Sequence, residues 1–226
     1  MGPVMDDRCR AMLVDGGRRL GVELDAESVA LFDSYAELLR KWGKKMNLSS
    51  RLGMSEIVLY HFLDSLAGYR LLAGAGEGAL IDIGAGAGFP ALPLKICLPG
   101  LVVSLVDSSN KKVSFCREVV RHLGLADVEI VHARGEELAK MPAWTGQFDW
   151  AVARALAPAL KAARLCLPFL KPGGKLLLYK GKAGEDEILP LREEAERIGA
   201  AIDIRNVQVP FLDASRSLVI VTKCST

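Results

Sequence analysis

Three glycines at alternate positions, Gly84, Gly86 and Gly88, follow an apolar run containing Asp82, and Phe89 and Pro90 close the segment LIDIGAGAGFP over 80–90. That order of residue types reads as a strand, a turn and the start of a helix. Glycine tolerates the positive φ such a turn demands, and without a Cβ it lets a ligand lie directly on backbone. The ligand would then meet the amino end of a helix, whose unpaired N–H groups favour electron-rich atoms. A tight turn that binds nothing would carry the same glycines, so the surroundings must decide between the two.

A second apolar run, 101–106, ends in Asp107, 23 residues beyond Gly84. At the end of the second strand of a doubly wound sheet, such a carboxylate reaches the ribose hydroxyls of an adenosine-containing cofactor. Two cofactors compete for this arrangement. A nicotinamide site calls for G-x-G-x-x-G, with a third glycine that lets helix and strand pack closely. Here the spacing is G-x-G-x-G followed by Phe89. S-adenosylmethionine has no pyrophosphate to cradle, and its cationic amino group suits an acid at Asp82. The spacing therefore favours the methyl donor over a nicotinamide oxidoreductase. Three later segments agree in order and spacing: HARGE at 132–136, FDWAVAR at 148–154 and LKPGGKLLLYKG at 170–181. Ligands of open α/β sheets bind outside the carboxyl ends of the strands, which brings Arg154 within reach of the site.

These residues need a scaffold, and the hydrophobic pattern supplies one. Strand-like runs fall at 79–83, 101–106, 128–131, 148–153, 174–180, 202–209 and 217–222, with helical stretches near 90–98, 110–123, 135–140, 158–169 and 185–198. Strands alternating with helices imply right-handed crossovers and a mostly parallel sheet covered on both faces. Only residues 210–216 separate the last two runs, too few for a crossover, so that pair is expected to be antiparallel. The predicted fold class is α/β, a Rossmann-like, seven-stranded, mostly parallel sheet with one antiparallel strand and an N-terminal helical extension. In that extension Leu31, Tyr35, Leu38, Leu39 and Trp42 recur at helical spacing. A second helical stretch sets Leu59, Phe62, Leu63 and Leu66 on one face and His61, Asp64, Ser65 and Gly68 on the other. The run GAGEG at 74–78 marks the division, giving a helical extension over 1–76 and a cofactor-binding domain over 77–226.

Composition narrows the class of protein. Among 226 residues, 29 Lys and Arg face 27 Asp and Glu, a formal charge of +2, which excludes a polybasic coat that binds nucleic acid through bulk charge. A local patch is still open: Arg40, Lys41, Lys44, Lys45 and Arg51 lie in a stretch with no acid between Glu37 and Glu56. The first residues lack a basic segment followed by an apolar one, and no apolar run approaches the roughly 20 residues that span a bilayer. Five widely spaced cysteines with no C-x-x-C read as reduced apolar side chains of a cytoplasmic protein, and no metal site is expected. Cys166, in an apolar helix, reads as core.

The strings HFLDSL at 61–66 and GAGAGFPALPLKI at 84–96, with NLS at 47–49, DS at 107–108, ARA at 153–155 and KG at 180–181, are specific. On them the chain resembles the RsmG family, also called GidB, of bacterial class I S-adenosylmethionine-dependent methyltransferases, from about Asn47 to Lys223. The resemblance implies methyl transfer to N7 of a guanine in 16S ribosomal RNA, as free RNA or within the small subunit, by a chain expected to act as a monomer. It implies cofactor contacts at Gly84, Phe89, Asp107, Ser108, Ser109, Gly135, Glu136 and Arg154, to which the residue reading adds Asp82, Gly86 and Gly88. Family members often have Tyr where this chain has Met46, and Ala where it has Gly135. Guanine N7 presents a lone pair with no proton to lose, so no strong general base is needed; His61, Asp64 and Arg154 are candidates for site support. Lys180 and Arg216 join the cations of 40–51 as candidate RNA contacts. A small-molecule methyltransferase and a noncatalytic RNA-binding or assembly factor are the alternatives.

Overall fold

A computed structural model describes residues 5–46, 52–74, 78–181, 184–213 and 215–224, with the side chains of Lys44, Lys45, Met46 and Glu185 left undescribed. Helices α1 (Asp7–Leu20) and α2 (Ala26–Met46) open the chain. A short α3 (Met54–Glu56) runs into a π-helical segment, Ile57–Leu63, and out through α4 (Asp64–Leu66) and α5 (Tyr69–Ala73). Strands and helices then alternate: β1 (Ala79–Ile83), α6 (Ala91–Cys97), β2 (Val102–Asp107), α7 (Asn110–Leu123), β3 (Val128–His132), α8 (Gly135–Leu138), β4 (Phe148–Arg154), α9 (Ala159–Cys166) and β5 (Leu170–Lys180). A helix α10 (Glu185–Arg197) and the strands β6 (Ala201–Gln208) and β7 (Ser215–Thr222) complete the order.

The seven strands form one sheet in the order β3-β2-β1-β4-β5-β7-β6. β7 pairs antiparallel with both β5 and β6, so it alone runs against the other six, as expected from the short 210–216 connection. Alternation along the strands sends successive side chains to opposite faces. Leu80, Leu177 and Tyr179 enter a core shared with α1, α2, the π-helical segment, α6 and α7. Ile81, Ile83, Leu176 and Leu178 enter a second core under α8, α9 and α10. The helices before residue 75 therefore close one face of the sheet, with Phe32, Tyr35, Phe62 and Leu66 wholly buried there.

The second amphipathic stretch differs from its sequence expectation. Phe62, Leu63 and Leu66 are buried as expected, but Asp64 and Ser65 on the opposite face are buried too. A π-turn inserts an extra residue and rotates the helix beyond it. The segment also lies between the α1–α2 layer and the carboxyl edge of the sheet, where the Tyr179 hydroxyl donates to the Ser65 carbonyl at 2.8 Å. At the opposite edge of the sheet Lys95 is 2 % exposed, and its ammonium donates to the Pro99 and Leu101 carbonyls at 2.7 and 2.6 Å. These bonds tie the end of α6 to the entry of β2. Replacing Lys95 by Met removes the donor to the buried Leu101 carbonyl, and the expected loss is about 1–3 kcal/mol of unfolding free energy, read from urea denaturation midpoints at constant m-value.

Candidate active site

The glycine turn is built as its sequence requires. Gly84, Gly86 and Gly88 all have positive φ, and the Gly84 and Ala85 N–H groups donate to the Val106 carbonyl, anchoring the turn on β2. A Cβ at Gly84 would lie 2.6 Å from Cδ1 of Leu156, and one at Gly88 would lie 2.4 Å from Cδ1 of Leu92 and 2.8 Å from the Tyr35 hydroxyl. Those leucine ends could shift, but the positive φ at both positions makes any side chain there strained. Tyr35, reaching in from α2, donates a short hydrogen bond to the Ala87 carbonyl. The helical extension thus supports the turn directly.

Asp107, at the end of β2, holds the turn from the other side. Its Oδ2 accepts from Gly86 N at 2.9 Å, its Oδ1 accepts from Ser109 N at 2.8 Å, and the Lys112 ammonium lies 3.7 Å away. A carboxylate has about four acceptor positions, so two remain for hydroxyl donors. Between β1, β2 and β4 opens a cleft of about 310 Å³, lined among others by Gly84, Asp107, Ser108, Gly135 and Glu136. Five of the expected cofactor positions thus meet in one cleft. The His132 ring nitrogen Nε2 lies 3.0 Å from the Ser108 carbonyl at its rim. Gly135 is close-packed: a Cβ would sit 3.1 Å from both Ile83 and Leu165.

Asp82, Gly86, Gly88, Phe89, Ser109 and Arg154 do not line that cleft. Asp82 lies beneath the turn, fully buried, its Oδ2 accepting from Ala91 N at 3.2 Å and its Oδ1 without a hydrogen-bond partner. Burial pushes its carboxyl well above the usual carboxylate range. An orphaned buried carboxyl oxygen is a place where a cationic group is favoured, and it fits the amino group of S-adenosylmethionine. So does backbone kept bare at Gly84.

Phe89 and Arg154 belong to a neighbouring cluster. Asp64, 4 % exposed, receives Arg154 Nη1 on Oδ2 at 2.9 Å and Arg216 Nε on Oδ1 through a short contact. Arg154 Nη1 also donates to the Tyr60 carbonyl at 3.2 Å, and its guanidinium sits 4.9 Å from the Phe89 ring centroid. His61 stacks on Phe89 with centroids 4.8 Å apart and planes at 12°. The three candidates for site support, His61, Asp64 and Arg154, therefore meet around Phe89. Lys180 is engaged inside the protein: its ammonium donates to the Ala157 carbonyl at 2.6 Å and pairs with Glu187 at 2.7 Å. Of the basic run, Arg40 and Lys41 are exposed near the end of α2. Arg51, the NLS at 47–49 and the side chains of Lys44 and Lys45 lie outside the described residues.

Sequence reasoning missed Lys112, Leu156 and Tyr35. Lys112 carries a signal, since it falls in the first turn of the helix after Asp107. The other two carry none, because an ordinary leucine and a core tyrosine acquire their places only in three dimensions.

A family model for GidB, rRNA small subunit methyltransferase G, matches residues 28–219. The chain is 43 % identical over 220 residues to ribosomal RNA small subunit methyltransferase G of Geotalea uraniireducens, covering 97 % of this chain and 99 % of that protein. It is 38 % identical over 221 residues to the protein of the same name from Geobacter sulfurreducens, covering 97 % and 100 %. Among solved structures, a SAM-dependent methyltransferase from Aquifex aeolicus superposes with a TM-score of 0.50 at 20 % identity, over 67 % of this chain and 87 % of that one, a likeness of fold. The matched stretch takes in the glycine turn, the cleft and the Asp64 cluster alike, and the chain belongs to the GidB family of rRNA small subunit methyltransferase G proteins.

Proposed function

We propose that this chain transfers the methyl group of S-adenosylmethionine to N7 of a guanine in 16S ribosomal RNA, free or within the small subunit. One observation carries the reading. Arg154, held against Asp64 and Phe89, is followed directly by Ala155 and Leu156, which line the cleft beside Gly84. The cleft that suits the cofactor and the cationic cluster that suits an anionic backbone are thus joined within three residues. When bound, the cofactor supplies an electrophilic methyl on a sulfonium.

The chain's own residues hold and orient. Gly84 presents bare backbone, Asp107 and Glu136 offer acceptors to ribose hydroxyls, Ser108 and Gly135 shape the cleft, and the Ser109 N–H holds the Asp107 carboxylate. Arg154 beside a cationic ligand would be repelled; Asp64 neutralises one of the two guanidiniums it binds and leaves the other charge for phosphate. Guanine N7 attacks without losing a proton, so placement is the main requirement, and well-oriented reactants account for about 7–11 kcal/mol of a barrier. His61 and Phe89, stacked together, wall the side from which an unstacked base would approach. The division at 1–76 and 77–226 is functional in this reading: the helical extension faces RNA with Arg40, Lys41, Lys44, Lys45 and Arg51, and Arg216 serves through Asp64. The reading takes the protein as a cytoplasmic monomer. Among the described residues no helix is long and apolar enough to cross a membrane.

Tritiated methyl transfer from S-adenosylmethionine to small-subunit particles, naked 16S RNA and a metabolite mixture tests the reading. The expected product is 7-methylguanine in RNA; label confined to metabolites, or none despite cofactor binding, overturns it. Asp107→Ala is expected to raise the cofactor Kd about 10- to 100-fold in calorimetry, the worth of hydrogen bonds to a charged acceptor. Unchanged affinity refutes the ribose contact. Neutralising Lys41, Lys44 and Lys45 together is expected to flatten the slope of log K against log salt by about 2 for single-stranded RNA. An unaltered slope returns these cations to ordinary surface.

A further inference from the structure

Ala155, the first residue after β4, has φ +54°. A left-handed conformation costs an L-residue about 1–2 kcal/mol and persists only where its neighbours over-determine it. On the amino side Arg154 is fixed by Asp64 and the Tyr60 carbonyl. The carboxyl side is fixed from elsewhere. Oε1 of Glu187, on α10, accepts from Ala159 N at 3.0 Å and from the Lys180 ammonium at 2.7 Å, while that same ammonium donates to the Ala157 carbonyl at 2.6 Å. One carboxylate oxygen therefore gathers both ends of a short stretch, Ala159 directly and Ala157 through Lys180. It also takes over a task that the chain lacks locally, because Pro158, at the N-cap of α9, makes no side-chain capping bond. Between the two clamps Leu156 is pressed onto the glycine turn, within 2.6 Å of where a Gly84 Cβ would stand.

Resting on the function proposed above, we propose that Glu187 is a positioning residue for methyl transfer: with Lys180 it holds the stretch 155–158 against the glycine turn, so that Leu156 closes the cleft beside Arg154. The hydrogen bond from Lys180 is the main influence holding the Glu187 carboxyl below its ordinary range. Glu187 does not line the cleft, and its action runs through the 155–159 backbone.

A surface ion pair and a loop clamp differ in what a charge swap does. Glu187→Ala is expected to lower kcat about 10-fold and raise the cofactor Kd several-fold, with KM for RNA within twofold of the parent. Glu187→Gln, which keeps an acceptor for Ala159 N, is expected to lose less. The swapped pair Lys180→Glu with Glu187→Lys restores the opposite charges and is expected to recover only the ion-pair part of the loss in thermal midpoint. It is not expected to recover kcat or cofactor affinity, because a carboxylate cannot donate to the Ala157 carbonyl and an ammonium cannot accept from Ala159 N. Parent-like kcat and cofactor Kd in Glu187→Ala, or recovery of both in the swapped pair, overturns the inference. Cofactor Kd is read by calorimetry without turnover, so it tests the clamp even if the unaltered protein fails to methylate RNA, a result that would count against the proposed function instead.

Discussion

The Asp64 carboxylate is the joint on which the site depends. It leaves a helix that the N-terminal layer buries, and it receives guanidiniums from two strands, Arg154 at the end of β4 and Arg216 near the start of β7. Desolvating a carboxylate is costly, and only close partners with good hydrogen bonds offset it. Removing one member of such a buried group typically costs about 3–5 kcal/mol, far more than a surface pair contributes. Two cations against one anion also leave a charge over. That imbalance would be a liability in a core, yet at the carboxyl edge of a sheet it faces the side where ligands arrive.

The same joint explains why the helical extension cannot be treated as a decoration. Tyr35 bonds the glycine turn at Ala87 and stacks on Phe89, with centroids 5.4 Å apart, while His61 stacks on the same ring. Phe89 is thus fixed by rings from α2 and from the π-helical segment and by the guanidinium of Arg154. The glycine turn is held from three directions: β2 through Asp107, α2 through Tyr35, and the stretch after β4 through Leu156. A turn made of glycines has little stiffness of its own. Its shape has to be imposed by neighbours, and the neighbours come from every part of the chain.

That division of labour sets what could be read in advance. Strand positions and the lone antiparallel strand derive from alternation and from the length of one connection, both local properties. The glycine turn and Asp107 are likewise local patterns, and Gly84 of that turn stands in one cleft with Asp107, Ser108, Gly135 and Glu136. The 57–66 helix is harder to read. Its apolar spacing suits an α-helix, whereas the structure takes a π-turn and buries Asp64, because the partners of that acid lie 90 and 152 residues further along the chain. Lys180 shows the same limit: a lysine at a strand end reads as free to meet phosphate, and only the fold brings Glu187 and the Ala157 carbonyl to it. Residues that touch a ligand leave a motif, and residues that hold them leave almost none.

A formal charge of +2 is therefore a poor summary of this surface. Paired charges inside the protein, such as Lys180 with Glu187 and Asp64 with its arginines, count toward the total but contribute little field at a distance. What RNA would meet is the remainder: exposed cations at the end of α2, such as Arg40 and Lys41, and the surplus positive charge at Asp64. Long-range attraction is weak with so small a net charge and is screened within about 10 Å at moderate salt. Discrimination must then come from short-range fit, which is what selecting one guanine within a folded RNA demands.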